Sequence, residues 1–296
     1  MAKATIKSLK QYKQFEPDEE SVLLFYHLLD ANGNKLQEHT YAPDGELIEE
    51  KAYSYNESGQ LVDVKSHFVA DEVMEIIRYE YDALGKISNT HKRYTEQEDT
   101  DTTCYSYNEA GKLVEKRSEN SEGEIEHSEN WKYSGDLLME TNVKDGDGKI
   151  LEYSKFSYTK EGILCEELKF NPETEQEIKI LYDVLLPGKT PNTTLYNKVG
   201  NIIQRTRHTY NEKQLLVKEI TESVSNGLQK FTSEFQYSEN DLLEESKIVD
   251  KNDNLISKIR YKYNEFNLPC EELHYEKTSS GDENLESRII FEYEYY

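Results

Sequence analysis

Three kinds of side chain in this 296-residue chain could do chemistry by type and grouping: closely spaced carboxylates, seven histidines and three cysteines. Asp145-Gly146-Asp147-Gly148 sets alternating carboxylates on a tight turn, which suits a hard cation such as calcium. The spacing then fails. An EF-type loop needs glycine at its sixth position and glutamate at its twelfth, and here Gly148 is fourth and Phe156 twelfth. Asp250, Asn252 and Asn254 match the first ligand positions of such a loop, but Leu255 and Tyr261 stand where the glycine and glutamate belong. His27, His39, His67, His91, His127, His208 and His274 lie far apart and come with neither an HExxH signature nor a nucleophile elbow, so they read as scattered strand residues. Cys104, Cys165 and Cys270 are odd in number and have no CxxC spacing, which predicts packing residues and no disulfide framework or zinc site. The expectation is a chain with no catalytic group, no metal and no cofactor, and therefore not an enzyme.

Two stretches interrupt the pattern described next, and fold alone explains them least. Glu96 to Asp101 is a polar loop whose four carboxylates belong to Glu96, Glu98, Asp99 and Asp101. Leu185 to Asn192 sets two prolines where a hairpin turn is due, which excludes a central strand there. Loops held on a rigid scaffold are where binding usually resides, so Glu96, Glu98, Asp99, Asp101, Leu186, Pro187 and Lys189 are the candidate partner-binding residues.

The elements that must hold these loops come from a repeat. Tyr53 and Tyr55 recur as Tyr79 and Tyr81, as Tyr105 and Tyr107, and as Trp131 and Tyr133, at steps of 26 residues. The second member continues at Tyr158, Tyr182, Tyr210, Tyr237 and Tyr263, and the chain closes on Tyr293, Tyr295 and Tyr296. A turn follows each pair, as in Asn56-Glu57-Ser58-Gly59, Asp82-Ala83-Leu84-Gly85 and Asn108-Glu109-Ala110-Gly111. Asn or Asp opens such a turn through its side-chain acceptor, and Gly takes the left-handed position that leads into the next strand. Asp241 and Asn267 occupy the glycine place in later repeats, and Gln214 does so less readily.

A second turn falls half a period on, at Pro43-Asp44-Gly45, Ser121-Glu122-Gly123, Val199-Gly200-Asn201, Ser225-Asn226-Gly227 and Ser279-Ser280-Gly281. Two turns per period imply two strands of about nine residues. The residue between the aromatics is polar, as at Ser54, Glu80, Ser106 and Lys132, so one strand face is aromatic and the other wet. The predicted fold is all-β: about ten tandem hairpins making one coiled antiparallel sheet, an arc, open barrel or short superhelix, with almost no helix. Residues 1–21 form an N-terminal cap and 22–296 a single array with an irregular insertion near 185–192.

Acidic residues number 59 against 35 basic, for a net charge of −24 and a pI near 4.7. Phosphate backbones and anionic membrane surfaces repel such a chain, which argues against nucleic acid and membrane as partners. No apolar run near the N-terminus is long enough for a signal peptide or a membrane span, so the expected location is the cytoplasm.

Tyr81-Asp82-Ala83-Leu84-Gly85-Lys86-Ile87, Tyr107-Asn108-Glu109-Ala110-Gly111-Lys112-Leu113 and Tyr196-Asn197-Lys198-Val199-Gly200-Asn201-Ile202 resemble Rhs, or YD, repeats, over roughly residues 22 to 296. The resemblance implies coiled β-hairpin sheets, a bacterial origin and a link to toxin systems. Here the array is short and stands without the self-cleaving core segment and toxin domain of the long shells. The functional expectation is a protein-binding scaffold, such as an immunity protein or chaperone for a basic toxin, with a carbohydrate-binding or cell-surface module as the alternative.

Overall fold

The structure is a computed structural model that describes residues 5–15, 19–95, 99–183, 189–224, 227–277 and 283–296. Glu96, Gln97, Glu98, Leu185, Leu186, Pro187 and Gly188, together with the turn residues Ser225, Asn226, Ser279, Ser280 and Gly281, lie outside the described residues. What is described is all-β, with twenty-two strands and no helix. The first eleven are β1 (Ile6–Gln14), β2 (Val22–Leu29), β3 (Lys35–Tyr41), β4 (Leu47–Tyr55), β5 (Leu61–Phe68), β6 (Val73–Tyr81), β7 (Ile87–Tyr94), β8 (Thr100–Tyr107), β9 (Leu113–Glu119), β10 (Ile125–Ser134) and β11 (Leu137–Asp145). The others are β12 (Ile150–Tyr158), β13 (Leu164–Asn171), β14 (Gln176–Tyr182), β15 (Thr193–Asn197), β16 (Ile202–Tyr210), β17 (Leu216–Ser223), β18 (Gln229–Tyr237), β19 (Leu243–Val249), β20 (Leu255–Tyr263), β21 (Pro269–Lys277) and β22 (Glu283–Tyr295).

The chain divides into two compact units. Unit 1 comprises Met1–Arg78, Arg93–Glu98 and Ser233–Tyr296, and unit 2 comprises Tyr79–Lys92 and Asp99–Thr232. In unit 1 consecutive antiparallel pairings run from β19 through β22 to β1 and on through β2, β3, β4 and β5 to β6. β1, drawn from residues 1–21, therefore lies between β2 and β22, and the first and last strands give each other the partner that an end strand lacks. In unit 2 the same meander runs unbroken from β8 to β17.

The hairpin turns follow from their sequence. At Asn56 the backbone N–H donates to Gln60 O at 2.9 Å and Gly59 N–H returns to Asn56 O at 2.9 Å, while Asn56 Oδ1 accepts from Ser58 and Gln60 N–H. Gly59 has φ of +78°, and the same left-handed position is filled by Gln214 at +69°, Asp241 at +64° and Asn267 at +60°. Ladder register slips one residue at the second tyrosine, between Ser54 and Tyr55, Ser106 and Tyr107, Ser157 and Tyr158, and Thr209 and Tyr210. Such a bulge is the companion of this turn and sharpens the strand twist.

The two-residue alternation holds. Ser54, Glu80, Ser106, Lys132, Ser157, Thr209, Gln236, Lys262 and Glu292 are exposed, and the aromatics flanking them are half-buried. Val64 is the one buried hydrophobic residue among those described, and the best-hidden strand centres are polar: Ser66, Ser8, Ser287 and Thr232. Hydrogen bonding supplies what a thin apolar layer does not. Tyr55 Oη donates to Lys35 O at 2.8 Å, Tyr107 to Ile87 O at 2.9 Å, Tyr158 to Leu138 O at 2.7 Å and Tyr263 to Leu243 O at 2.8 Å, each acceptor twenty residues back. Each hydroxyl thus ties its own hairpin to the first strand residues of the preceding one.

Candidate functional site

An antiparallel meander sends alternate turns to opposite edges of the sheet, so the strand order decides which loops are neighbours. In each unit the tyrosine-marked turns share one edge and the half-period turns share the other. Asp99 and Asp101 are exposed at the start of β8, on the half-period edge of unit 2. Lys189 lies in the connection between β14 and β15, on the tyrosine edge, with its ammonium 4.6 Å from the Tyr210 ring centre. The described members of the two candidate loops are therefore not brought together. Glu96, Glu98, Leu186 and Pro187 lie outside the described residues.

The suspected calcium turns use their carboxylates on themselves. Asp250 Oδ1 accepts from Asn252 and Asn254 N–H at 2.8 and 2.9 Å, and Asp145 Oδ1 accepts from Lys149 N–H at 2.9 Å. Donation from the Asn254 side chain and the two backbone groups holds the Asp250 carboxyl below its ordinary range.

Charge is distributed differently in the two units. In unit 1 the described connections of the half-period edge, such as Asp44, Glu46, Asp71 and Glu72, hold eight acidic residues against Lys251, and those of the tyrosine edge hold five with no base. In unit 2 the tyrosine edge has six acids and five lysines, and two of the lysines reach across to a neighbouring turn. Lys86 Nζ donates to Gly111 O at 2.6 Å and Lys112 Nζ to Gly135 O at 2.7 Å, each reaching the turn of the next hairpin. Their ammonium groups also stand 4.9 Å and 5.2 Å from the Tyr107 and Tyr133 ring centres.

The first aromatic position of the repeat carries polar chemistry that sequence reasoning missed. Tyr53 Oη lies 3.5 Å from Glu38 Oε2, and His27 and His208, which replace the tyrosine at that position, contact Glu38 at 3.5 Å and Glu219 at 3.1 Å, while at the second position Tyr182 Oη donates to Glu167 at 2.7 Å. Burial, then the Glu38 charge, pushes the Tyr53 phenol up to about 12. Burial and the bond to Glu167 raise Tyr182 as well. Burial outweighs Glu38 at His27 and lowers its pKa. Six of the seven histidines lie within 3.9 Å of a glutamate; five of these contacts cross between neighbouring strands and are visible only once strands are paired in register, and the sixth joins His274 to Glu272 on its own strand.

A hollow in unit 1 has a volume of about 270 Å³ and lies on the wet face, where Gln37, Ala52 and Lys65 form one row and His39, Glu50 and His67 the next. A second, of about 200 Å³ in unit 2, is lined by Tyr153, Phe170, Lys169, Asn171 and Gln176.

A family model described as an uncharacterised protein matches residues 19–153. No curated protein matches the chain. Among solved structures, a TcdB2-TccC3-Cdc42 crystal structure is similar at 11% identity and a TM-score of 0.34, over 90% of this chain and 19% of that one. TcdB2-TccC3 without its hypervariable C-terminal region is similar at 10% identity and 0.34, over 92% and 21%. A porin-like protein from Bacteroides uniformis is similar at 11% identity and 0.34, over 99% of both chains. The chain spans about a fifth of the length of the first two.

Proposed function

We propose that this chain is a non-enzymatic protein-binding scaffold built from Rhs/YD-type repeats, and that it captures a partner with a basic contact surface. The observation that carries this reading is the excess of acid in the turns of unit 1, where thirteen acidic residues face a single lysine among the described connections. Such a field accelerates encounter with a positive surface and is screened beyond about 8 Å at physiological ionic strength. The YD-like heptads ally the chain with bacterial toxin systems, so the partner we favour is a secreted toxin or effector held in the cytoplasm by an immunity protein or chaperone.

Affinity capture from the host, followed by stopped-flow association at several salt concentrations, tests this. The expected result is a basic protein whose association rate falls steeply with salt while dissociation changes little, and a slower association after Asp44→Asn, Glu46→Gln and Asp71→Asn together. Association indifferent to salt and to these changes overturns it. The aromatic pair Tyr153 and Phe170, with ring centres 5.3 Å apart beside Asn171 and Gln176, keeps a carbohydrate-binding reading in view, and capture of glycans in place of a protein would select it.

A further inference from the structure

We propose that the hollow on the wet face of unit 1 binds a free α-amino acid with an uncharged, apolar side chain, which Glu50 holds by its ammonium group and Lys65 by its carboxylate. The hollow exists because of Ala52. That short side chain stands on the floor between Gln37 and Lys65 of the neighbouring strands, with Glu50 two residues along on the same face, so long side chains wall a small one. Its volume of about 270 Å³ lies below the range of about 300 to 1,000 Å³ usual for drug-sized ligands, which suits a smaller molecule.

The lining presents two opposite charges that the fold leaves unmatched. Glu50 meets two imidazole nitrogens, His39 Nε2 at 3.9 Å and His67 Nδ1 at 3.6 Å, both beyond hydrogen-bond length. Lys65 is exposed, and among the described residues no ion pair joins it to Glu50 or to another carboxylate. Asp63, next along the strand on the same face, is taken by Arg78 Nε at 3.1 Å. Lys51, one residue from Glu50 and so on the opposite face, is held by Glu49 at 2.9 Å.

A simple anion or a simple cation satisfies one of these groups and is opposed by the other, whereas a zwitterion satisfies both. Glu50 pairs with His67, two residues on from Lys65, so the two charged residues are diagonal neighbours with backbones about 7 to 8 Å apart. A ligand carrying ammonium and carboxylate on one carbon bridges them through a charge-assisted hydrogen bond of about 2.7 to 2.9 Å at each end. Met74 follows His67 in the row and lines the hollow, giving the ligand's side chain a flexible apolar surface.

Titration of the full chain with L-leucine at pH 7, with ligand and histidine-ring proton signals followed by NMR, tests the site. The expected result is one saturable site per chain, with shifts at His39 and His67 and none at His127, whose ring faces Ser118. L-Leucinamide lacks the carboxylate and N-acetyl-L-leucine lacks the ammonium, and each should bind at least about tenfold more weakly. Glu50→Gln should bind leucine and N-acetylleucine equally, and Lys65→Met should bind leucine and leucinamide equally. Ala52→Leu, which fills the floor and keeps both charges, should abolish binding. If a variant fails to fold, the comparison of the three ligands on the wild-type chain gives the same reading. No saturable leucine binding to the wild-type chain, equal affinity for all three ligands, selectivity unchanged in Glu50→Gln and Lys65→Met, or binding undiminished by Ala52→Leu overturns the proposal.

Discussion

Units 1 and 2 are built from the same hairpin and differ in how its marked turn is secured. Both tie the second tyrosine hydroxyl to a backbone carbonyl twenty residues back, as at Tyr55 and Tyr263 in unit 1 and Tyr107 and Tyr158 in unit 2. At two turns of unit 2 a lysine, Lys86 or Lys112, crosses to a backbone carbonyl of the next turn, and Lys112 also meets the Asp136 carboxylate there at 2.6 Å. The corresponding turns of unit 1 contain Asp30, Glu57, Glu239, Asp241 and Glu265 and no lysine at all. The tyrosine bond is thus common to the architecture, and the lysine clamp is an option. Where the clamp is absent the edge keeps its charge, which is why the partner-binding reading rests on unit 1.

The largest expected effect separates the two kinds of turn. Gly111 in unit 2 and Gly59 in unit 1 have nearly equal φ, +76° and +78°, so valine at either position costs about 1 to 3 kcal/mol in backbone strain. A side chain at Gly111 also meets Lys86 Nζ and forces that lysine off the Gly111 carbonyl, whereas nothing lies within 4 Å at Gly59. Gly111→Val should therefore melt lower than Gly59→Val. Equal melting would show that the clamp contributes nothing.

A smaller effect should be the same in both units. Tyr55→Phe and Tyr107→Phe each remove one hydroxyl bond to a backbone carbonyl, for an expected loss of about 0.5 to 1.5 kcal/mol. Denaturant midpoints that differ widely between the two would break the claim that this bond is the common element.

The smallest effect is confined to high pH. The folded state holds the Tyr53 phenol neutral up to about 12, while the unfolded chain ionises it from its ordinary value of 10.0. The stability it contributes is therefore fully present below 10.0 and is lost as pH rises toward about 12. Melting temperature should fall less steeply across that window in Tyr53→Phe, and parallel curves would mean that Glu38 and burial do not act on this phenol.

Much of the hairpin was legible in the sequence, because turns and alternation are short-range. Asn56 and Gly59 fall within one five-residue hydrogen-bonded loop, so the residues that build it are adjacent in the chain. The reading of Asp241, Asn267 and Gln214 as glycine substitutes rests on backbone sterics at single positions, and all three have positive φ. The exposed residue between each aromatic pair follows from the period of two.

What only the tertiary structure decided depends on partners far along the chain. Ile6–Gln14 has no tyrosine pair to mark it, yet β1 fills the place between β2 and β22, a pairing of residues such as Leu9 and Tyr293 that no local pattern encodes. His39, Glu50 and His67 are separated by 11 and 17 residues, spacings that match no ligand motif, and register alone aligns them. Register in turn reflects the one-residue slips at Tyr41 and Tyr55, and since side chains alternate faces with a period of two, a different count of bulges would place Glu50 and its imidazoles on opposite faces.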